Sequence, residues 1–173
     1  DWVQRGSDID GEGVGDFSGY SVAGSADGLV VAIGAFNNDG NGDTAGHVRI
    51  YAWNGADWVQ RGSDIDGETA WDSSGSAVSL SSDGLVVAIG AYRNDGTANS
   101  AGHVRVYVWD GATWVQRGSD IDGEAYDDAS GVSVSLSADG SVVAIGAQRN
   151  DGNGSDAGHV RLYAWNGSSW AQR

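Results

Sequence analysis

Three short acidic segments of the sequence carry the residue types that bind hard cations. Each reads Asp-Ile-Asp-Gly-Glu, and carboxylates at alternating positions of an extended chain project to the same side. Calcium takes about six to eight oxygen ligands and favours such carboxylates, so we predict calcium as a cofactor at these segments. The alternative is a solvated acidic turn, in which the Asp side chains accept hydrogen bonds from nearby backbone N–H groups. The candidate ligands are Asp8, Asp10, Glu12, Asp64, Asp66, Glu68, Asp120, Asp122 and Glu124.

A second candidate calcium segment carries Asp39, Asn41 and Asp43 at alternating positions. This is the spacing that opens calcium-binding loops, because alternate side chains offer their oxygens to one ion. The two later copies of the segment differ in sequence and end in Asn99 and Ser155. Exposed loops that vary on a rigid scaffold are where binding specificity usually resides, although drift between duplicates explains the variation as simply.

Three histidines open identical segments of sequence Ala-Gly-His-Val-Arg, at His47, His103 and His159. A catalytic triad needs one unique constellation, and no nucleophile motif lies near any of these residues. We therefore predict structural hydrogen bonds for the histidines and no catalytic residue in the chain. The arginine two positions after each histidine recurs as well, and so do Arg5, Arg61 and Arg117. We expect both sets of arginines to pair with the acidic segments.

Seven of the eight tryptophans recur in register beside the same predicted hairpin, which predicts cross-strand aromatic pairs rather than a sugar-stacking surface. Trp71 is the exception, because the other copies carry Gly15 and Asp127 at its position. We expect Trp71 to lie on an exposed loop and to contact a partner. Asn153 and Asn166 each begin an Asn-x-Ser sequence, which is an N-glycosylation site if the protein is secreted from a eukaryotic cell.

These candidates recur because the whole sequence repeats every 56 residues without insertion or deletion, as Trp2, Trp58, Trp114 and Trp170 show. A repeat of this length is one structural unit that must stack on its neighbours. Residues present in every copy are therefore candidates for folding and stacking first, and for unique chemistry second.

Four strands are predicted in each copy, as the third copy illustrates. Residues 132–137 and 159–165 alternate between apolar and polar side chains, which indicates half-buried strands. Residues 142–147, Val-Val-Ala-Ile-Gly-Ala, contain no polar residue, which indicates a strand buried on both faces. A fourth strand begins at Trp170, and Asp-Gly and Asn-Gly pairs mark the hairpin turns. Each copy is therefore predicted to be a four-stranded antiparallel meander.

A sheet that is apolar on both faces must stack on copies of itself, and radial stacking of four-stranded sheets forms a β-propeller. We predict an all-β chain of propeller blades, with residues 1–6 as strand four of a preceding blade and blades at 7–62, 63–118 and 119–173. Propellers have about 4–8 blades, so we expect a larger propeller or array and a chain cut from a longer polypeptide. The alternative fold is a β-trefoil, which also has three repeats of four strands.

The net charge of −15 argues against two classes of partner. Such a field repels phosphate backbones and anionic headgroups, so we expect no nucleic acid and no membrane insertion. No apolar run approaches the length of about 18 residues that marks a membrane-spanning helix. The chain contains no cysteine, so the sequence predicts no disulfide framework.

Three segments of the first copy, residues 15–22, 30–35 and 46–51, resemble the FG-GAP type of repeat found in integrin-like β-propellers and in many large surface proteins of microbes and algae. The resemblance covers the whole chain, once per copy, and implies propeller blades. The family name refers to a Phe-Gly pair and a Gly-Ala-Pro triplet. Here Phe17 is displaced by one residue and Phe36 replaces the proline. Integrin-type blades often hold calcium in their first hairpin, but this hairpin is too short for that loop.

The resemblance and the near-identity of the copies predict an extracellular or cell-surface module with a structural or adhesive role and no enzymatic activity. Repeated surfaces give repeated contacts, so the expected partners are other copies of the chain or further blades of the same chain, in a surface filament or a larger propeller. The alternative is a multivalent carbohydrate-binding lectin whose partners are glycans. An enzyme would need a unique polar cluster at the propeller mouth, and the repeats show none.

Overall fold

The computed structural model describes residues 1–173 and consists of strands, turns and loops. None of its segments is a helix with the length and apolar character needed to cross a membrane. The strands, in chain order, are β1 (Ser21–Gly24), β2 (Val30–Ala35), β3 (His47–Trp53), β4 (Trp58–Gln60), β5 (Ile65–Asp66), β6 (Ser74–Leu80), β7 (Val86–Ala91), β8 (His103–Trp109), β9 (Trp114–Gln116), β10 (Ile121–Asp122), β11 (Ser130–Leu136), β12 (Val142–Ala147), β13 (His159–Trp165) and β14 (Trp170–Gln172).

The strands form three antiparallel sheets, one for each repeat. The strand orders are β1-β2-β3-β4, β6-β7-β8-β9 and β11-β12-β13-β14, so each strand pairs with the next along the chain. The prediction of three four-stranded antiparallel meanders is confirmed. Two short strands do not follow from the sequence pattern: β5 and β10 pair with the first residues of β3 and β8, and so extend the outer edge of the first two sheets.

The apolar core lies between successive sheets, in two clusters. One joins Val48 and Ile50 of the first sheet to Ile89 of the second. The other joins Val104 of the second sheet to Ile145 of the third. Strand β7 is buried along its whole length because it has a sheet on each face, as its uninterrupted apolar sequence predicts. The sheets stack face to face as propeller blades do, which excludes the β-trefoil.

The blades approach most closely where glycine takes the place of a side chain. A Cβ atom built on Gly34 would lie 2.0 Å from the carbonyl oxygen of Gly75, and one on Gly90 would lie 2.0 Å from that of Gly131. These contacts join β2 to β6 and β7 to β11, so the first two strands of each blade lie nearest the common axis. Any side chain at these glycines would push the blades apart.

The structure differs from the predicted boundaries near both ends of the chain. Strand β11 begins at Ser130, ahead of the predicted start at residue 132, because a register shift between Ser130 and Ser133 lets the pairing continue. Residues 1–6 form no strand, since a fourth strand needs the third strand of its own blade as a partner. Their place in a preceding blade stays a prediction, as do the blade limits. The connection after each of the first two blades still pairs with the blade that it leaves, through β5 and β10.

Candidate functional site

Carboxylates from two successive connections meet one histidine in each of the first two blades. In the first set, the histidine Nδ1 lies 3.8 Å from the glutamate Oε2 and 3.9 Å from the aspartate Oδ2. In the second set, both distances are 3.8 Å. The three atoms of each set lie within 4.8 Å of one another. We call these sets the first His cluster, Glu12 with His47 and Asp64, and the second His cluster, Glu68 with His103 and Asp120.

The third strand of the blade assembles the first His cluster. His47 is the first residue of β3 and pairs with Asp66 of β5, so the connection leaving the blade passes beside the histidine. This pairing brings Asp64, two residues earlier, to the imidazole. Glu12 comes from the connection that enters the blade. Arg49 holds that connection, because its Nη2 donates to the backbone oxygen of Asp10 at 2.6 Å.

The three carboxylates of one connection therefore serve two blades. Asp64 faces the histidine of the preceding blade, and Glu68 faces the histidine of the following one. Asp66, between them, is exposed and offers its backbone oxygen to Arg105 at 2.6 Å. Calcium binding at the connections stays a prediction, and the carboxylates that the structure brings together come from two connections rather than one.

The remaining acidic candidates, Asp8, Asp10, Asp122 and Glu124, belong to neither His cluster. Asp8 accepts a hydrogen bond from Gln4 at 2.8 Å and faces no histidine. The backbone oxygens of Asp10 and Asp122 accept from arginine, as that of Asp66 does. Glu124 lies 3.8 Å from His159, without a third ligand.

Both carboxylates of a His cluster are oriented by a second contact. Gln116 Nε2 donates to Asp120 Oδ1 at 2.6 Å, which leaves Oδ2 facing the imidazole. Arg105 Nη1 lies 3.7 Å from Glu68 Oε1, which leaves Oε2 facing the same ring. The first cluster repeats both contacts, with glutamine to aspartate at 2.6 Å and arginine to glutamate at 3.7 Å. The expected pairing with the acidic segments is confirmed for the arginine two positions after each histidine. It is wrong for Arg61 and Arg117, which donate to the backbone oxygens of Gly84 and Gly140 and lie over tryptophan rings.

The prediction of structural hydrogen bonds for the histidines is wrong for His103. This residue is 1% exposed, and neither ring nitrogen has a hydrogen-bond partner. At 3.8 Å, the neighbouring carboxylates are too far away to accept a hydrogen bond. Burial, with the Arg105 guanidinium as a smaller cause, lowers the pKa of His103 to about 4. The imidazole is therefore neutral at pH 7, with a nitrogen turned towards two carboxylates.

The second predicted calcium segment is shaped by its own hydrogen bonds. Asp39 Oδ1 accepts from the backbone N–H of Thr44 at 2.8 Å, and Asp43 accepts a longer bond of 3.4 Å from the Thr44 hydroxyl. Asn41 Nδ2 donates to the backbone oxygen of Gly67 at 2.7 Å, which ties the loop to the next connection. These contacts give the residues structural roles, and calcium binding there stays a prediction.

Six of the seven recurring tryptophans form cross-strand pairs, which confirms the prediction for these six, whereas Trp2 is fully exposed and forms no such pair. Their ring centroids lie 5.4–5.5 Å apart in Trp53–Trp58, Trp109–Trp114 and Trp165–Trp170. The indole N–H of the second tryptophan in a pair also donates to a backbone oxygen of the preceding repeat. Trp114, for example, donates to the backbone oxygen of Arg61, the residue after β4, at 2.8 Å. This bond ties neighbouring repeats together.

Trp71 lies on the loop before β6 and is 57% exposed, as predicted for a loop residue. Its contact with a partner stays a prediction. Asn153 and Asn166 are also exposed, and the Asn166 Oδ1 accepts from the backbone N–H groups of Ser168 and Ser169. Glycosylation of either asparagine stays a prediction.

Sequence reasoning missed one buried polar pair that recurs in every blade. Asp128 Oδ2 accepts from the backbone N–H of Ala125 at 2.9 Å and from Asn150 Nδ2 at 3.0 Å. The equivalent pair of Asp72 and Asn94 is linked at 3.1 Å. The pair joins the loop before the first strand to the loop after the second. The signal in the sequence was the exact recurrence of both residues in loops that otherwise vary.

All three blades line one cavity of about 430 Å³. It lies where the first strands begin and the second strands end, and we call this end of the stack the mouth. Arg149 donates to both carboxylate oxygens of Asp127 there, at 2.8 and 3.0 Å, and Arg93 stacks on Tyr92 with its guanidinium 5.2 Å from the ring centroid. The lining residues are Tyr20, Ser76, Tyr92, Arg93, Ser100, Asp127, Ala129, Val132, Gln148 and Arg149.

The mouth is built from repeat positions that differ between the copies. Tyr20, Ser76 and Val132 occupy one such position, and Tyr92 and Gln148 share another. Several lining residues also have positive φ without being glycine, a conformation that often clusters at functional sites. The expectation that the repeats leave no unique polar cluster at the mouth is therefore wrong. Substitutions that look like drift along the sequence converge there on one cavity.

No family model matches the chain, and no curated protein matches it in sequence. Its structure is similar to Kuenenia stuttgartiensis hydrazine synthase, at 10% identity and a TM-score of 0.53, and to Saccharomyces cerevisiae Sqt1, at 14% identity and a TM-score of 0.53. It is also similar to the periplasmic gluconolactonase PpgL of Pseudomonas aeruginosa, at 17% identity and a TM-score of 0.48. The matches cover 96%, 92% and 84% of this chain but only 38%, 35% and 39% of those chains.

The stacked sheets and these neighbours define the class of protein as β-propeller-like. The narrower FG-GAP assignment has no matching family model behind it. The prediction that the chain is not an enzyme is contradicted, because this kind of fold is shared by a hydrazine synthase and so does not exclude enzymatic activity. The repeats, which carried that prediction, do not prevent a unique polar site at the mouth.

Proposed function

We propose that the chain is a blade-stacking module of a structural or adhesive protein, located outside the cell or on its surface. The observation that carries the proposal is the open face of the third blade. Val160 and Leu162 are 64% and 45% exposed there, whereas the equivalent Val104 and Val106 are 0% and 1% exposed beneath the next blade. The third blade therefore presents an apolar surface of the kind that the first two blades bury.

The first blade presents the complementary half of the same interface. Val22 of β1 is 64% exposed, whereas the equivalent Val78 and Val134 are partly buried against the blade before them. Two open faces that match the two sides of an existing interface predict head-to-tail stacking. The partners that fit both faces are further blades of the same chain or a second copy of it, and two copies would close a ring of six blades, within the range of about 4–8 that propellers use.

The acidic surface opposes this association, because a net charge of −15 makes two copies repel each other. Added salt screens this repulsion and strengthens the apolar contact, so dimer formation should increase with ionic strength. A response of this sign separates apolar stacking from attraction between charged patches, which salt weakens.

Light scattering across a range of protein and salt concentrations tests the proposal. We expect a dimer for the wild-type chain and a monomer for V160D and V22D, since each variant places a carboxylate on one open face. V14D is the matched control, because Val14 is fully exposed and the equivalent Tyr126 stays 70% exposed even with a blade before it. A wild-type chain that is monomeric throughout would contradict a second copy as the occupant. Open-ended growth would instead indicate a filament.

A second candidate function is carbohydrate binding, and the cavity at the mouth favours it. Tyrosine rings can stack on sugars and arginines can donate to their hydroxyl groups, and Tyr20, Tyr92, Arg93 and Arg149 provide both. A ring of two copies would carry two such cavities and bind glycans multivalently. A glycan array probed with wild-type, Y92A and W71A chains tests this function. Binding lost in Y92A would place the site at the mouth, and an array without a binder would remove the hypothesis.

A further inference from the structure

The two His clusters combine donors that suit a transition metal better than calcium. Each offers one imidazole nitrogen and two carboxylate oxygens, from three separate segments of the chain. Calcium prefers oxygen ligands alone and takes about six to eight of them, whereas zinc accepts imidazole and carboxylate in a shell of about four. Three protein ligands and one water molecule complete such a shell.

The distances from the imidazole nitrogen to the two carboxylates fit a metal ion better than a bridging water. Zinc lies about 2.0–2.2 Å from such ligands, which places tetrahedral ligand atoms about 3.3–3.6 Å apart. A water molecule about 2.8 Å from each atom would hold the atoms about 4.6 Å apart. The distances from Nδ1 to the two carboxylates, 3.8 and 3.9 Å in the first cluster and 3.8 Å in the second, are closer to the metal spacing.

The buried imidazole of His103 is the second, independent indication of a ligand. Its Nδ1 has no hydrogen-bond partner and is turned towards Glu68 and Asp120, while the residue is 1% exposed. Buried polar atoms in folded proteins almost always have a partner. An ion between the three donor atoms provides one for the nitrogen and relieves the repulsion between the two carboxylates.

The groups around each cluster prepare it for a divalent ion. Gln116 and Arg105 hold one oxygen of each carboxylate, as outer partners of metal ligands commonly do. Two carboxylates face one ring in each cluster, and the arginine balances only one of their charges. The remaining charge is negative, so a divalent cation is favoured over an anion or a neutral molecule.

We propose that the first and second His clusters each bind one zinc ion, which ties the connection entering a blade and the connection leaving it to the third strand. The third copy is an internal contrast, because Glu124 and His159 are present but no aspartate follows at the required step within the 173 residues. The monomeric chain therefore binds two zinc ions and not three.

Calorimetric titration of the chelator-stripped chain with zinc chloride tests the proposal, in the V160D background so that the chain is monomeric. We expect two ions per chain, one ion after D64N, and none after D64N/D120N. Asparagine keeps the size of the side chain, and circular dichroism checks that each variant is folded. Cobalt(II) replaces zinc in a second measurement. Visible absorption bands of four-coordinate cobalt should appear with the parent chain and disappear with D64N/D120N.

D66N is the matched control, because Asp66 lies in the same connection as Asp64 and carries the same charge. Its backbone pairs with that of His47, but its exposed carboxylate is not among the three donor atoms of either His cluster. The zinc stoichiometry should stay at two in D66N. A calcium site made from the carboxylates of one connection predicts the opposite, since it would lose a ligand in D66N. The proposal is overturned if folded protein binds no zinc, if D64N/D120N keeps both ions, or if D66N loses one.

Discussion

The interfaces between blades and the mouth of the stack follow opposite rules. At the interfaces, the close-approach glycines, the histidines with their facing glutamates and the arginines that hold the connections recur in every copy. At the mouth, every repeat position that lines the cavity differs between copies. The same backbone therefore carries one region in which each blade must match its neighbour and another in which each blade contributes something different.

The contrast separates stacking from specificity. A residue at the interface meets the same partner in each blade, so a change in one copy breaks a contact that the other copies keep. A residue at the mouth meets different neighbours in each blade, and it can change without disturbing the stack. Loss of stability should therefore follow changes at the interface, and loss of binding should follow changes at the mouth.

The largest expected effect comes from a methyl group at the closest approach of two blades. In G90A, the new Cβ would lie 2.0 Å from the Gly131 carbonyl oxygen, and backbone cannot move aside as a side chain can. We expect G90A to lower the free energy of unfolding by about 3 kcal/mol or more, or to prevent folding. Urea denaturation followed by tryptophan fluorescence measures the change.

G146A is the control for this substitution, because Gly146 occupies the same repeat position in the blade that has no neighbour on that side. Its Cβ would meet the Ser133 hydroxyl at 2.3 Å, and this group can rotate away. We expect a loss of about 1 kcal/mol or less. Equal losses in G90A and G146A would show that strand geometry, rather than blade stacking, requires glycine at this position.

A smaller loss of stability is expected when either of two adjacent aspartates is replaced by alanine. Asp128 belongs to the set of residues that recur in every copy, and Asp127 lines the mouth. Asp128 recurs in every copy and is buried, with bonds from Ala125 and Asn150, so D128A should cost about 2–3 kcal/mol. Asp127 varies between copies and forms an ion pair with Arg149 in which both side chains are about half exposed, so D127A should cost about 1 kcal/mol or less. Thermal unfolding of both variants measures the difference, and a larger loss in D127A would reverse the assignment.

The sequence predicts the interfaces well because their signals are local. The uninterrupted apolar run that became β7 indicates burial on both faces, and the glycine within it indicates a close approach. Both signals lie within six residues and recur in each copy. The strand order follows from the same local patterns, because consecutive strands joined by short turns pair with each other.

The His clusters and the mouth could not be predicted in the same way. Asp64 and Glu68 are close in sequence, which suggested one site, but β5 turns the first towards His47 and leaves the second for His103. The mouth gathers variable positions from three blades, and each position taken alone looks like neutral drift. In both cases the information lies in how blades are joined, and a single repeat does not contain it.

The number of zinc ions bound per chain should depend on whether two copies form a ring. Asp8 occupies the repeat position of Asp64 and Asp120 but has no histidine of its own to face. In a ring of two copies, Asp8 of a second copy would reach Glu124 and His159 and complete a third cluster. We expect the zinc stoichiometry to rise from two per chain in the V160D monomer to three in the dimer, and D8N to return it to two. A dimer that binds only two ions would separate ring closure from metal binding.

The smallest effect on stability is expected from exchanging mouth residues between copies. R93N places the residue of the first copy in the second, and it removes only an exposed stacking contact with Tyr92 at 5.2 Å. We expect the free energy of unfolding to change by about 0.5 kcal/mol or less, because no interface contact is touched. Urea denaturation of R93N and R105N measures the difference, and the loss should be larger in R105N. Arg105 is buried, recurs in every copy and holds the preceding connection through the backbone oxygen of Asp66. Similar losses in R93N and R105N would mean that the mouth is also part of the stacking framework, and its variation would then need a different explanation.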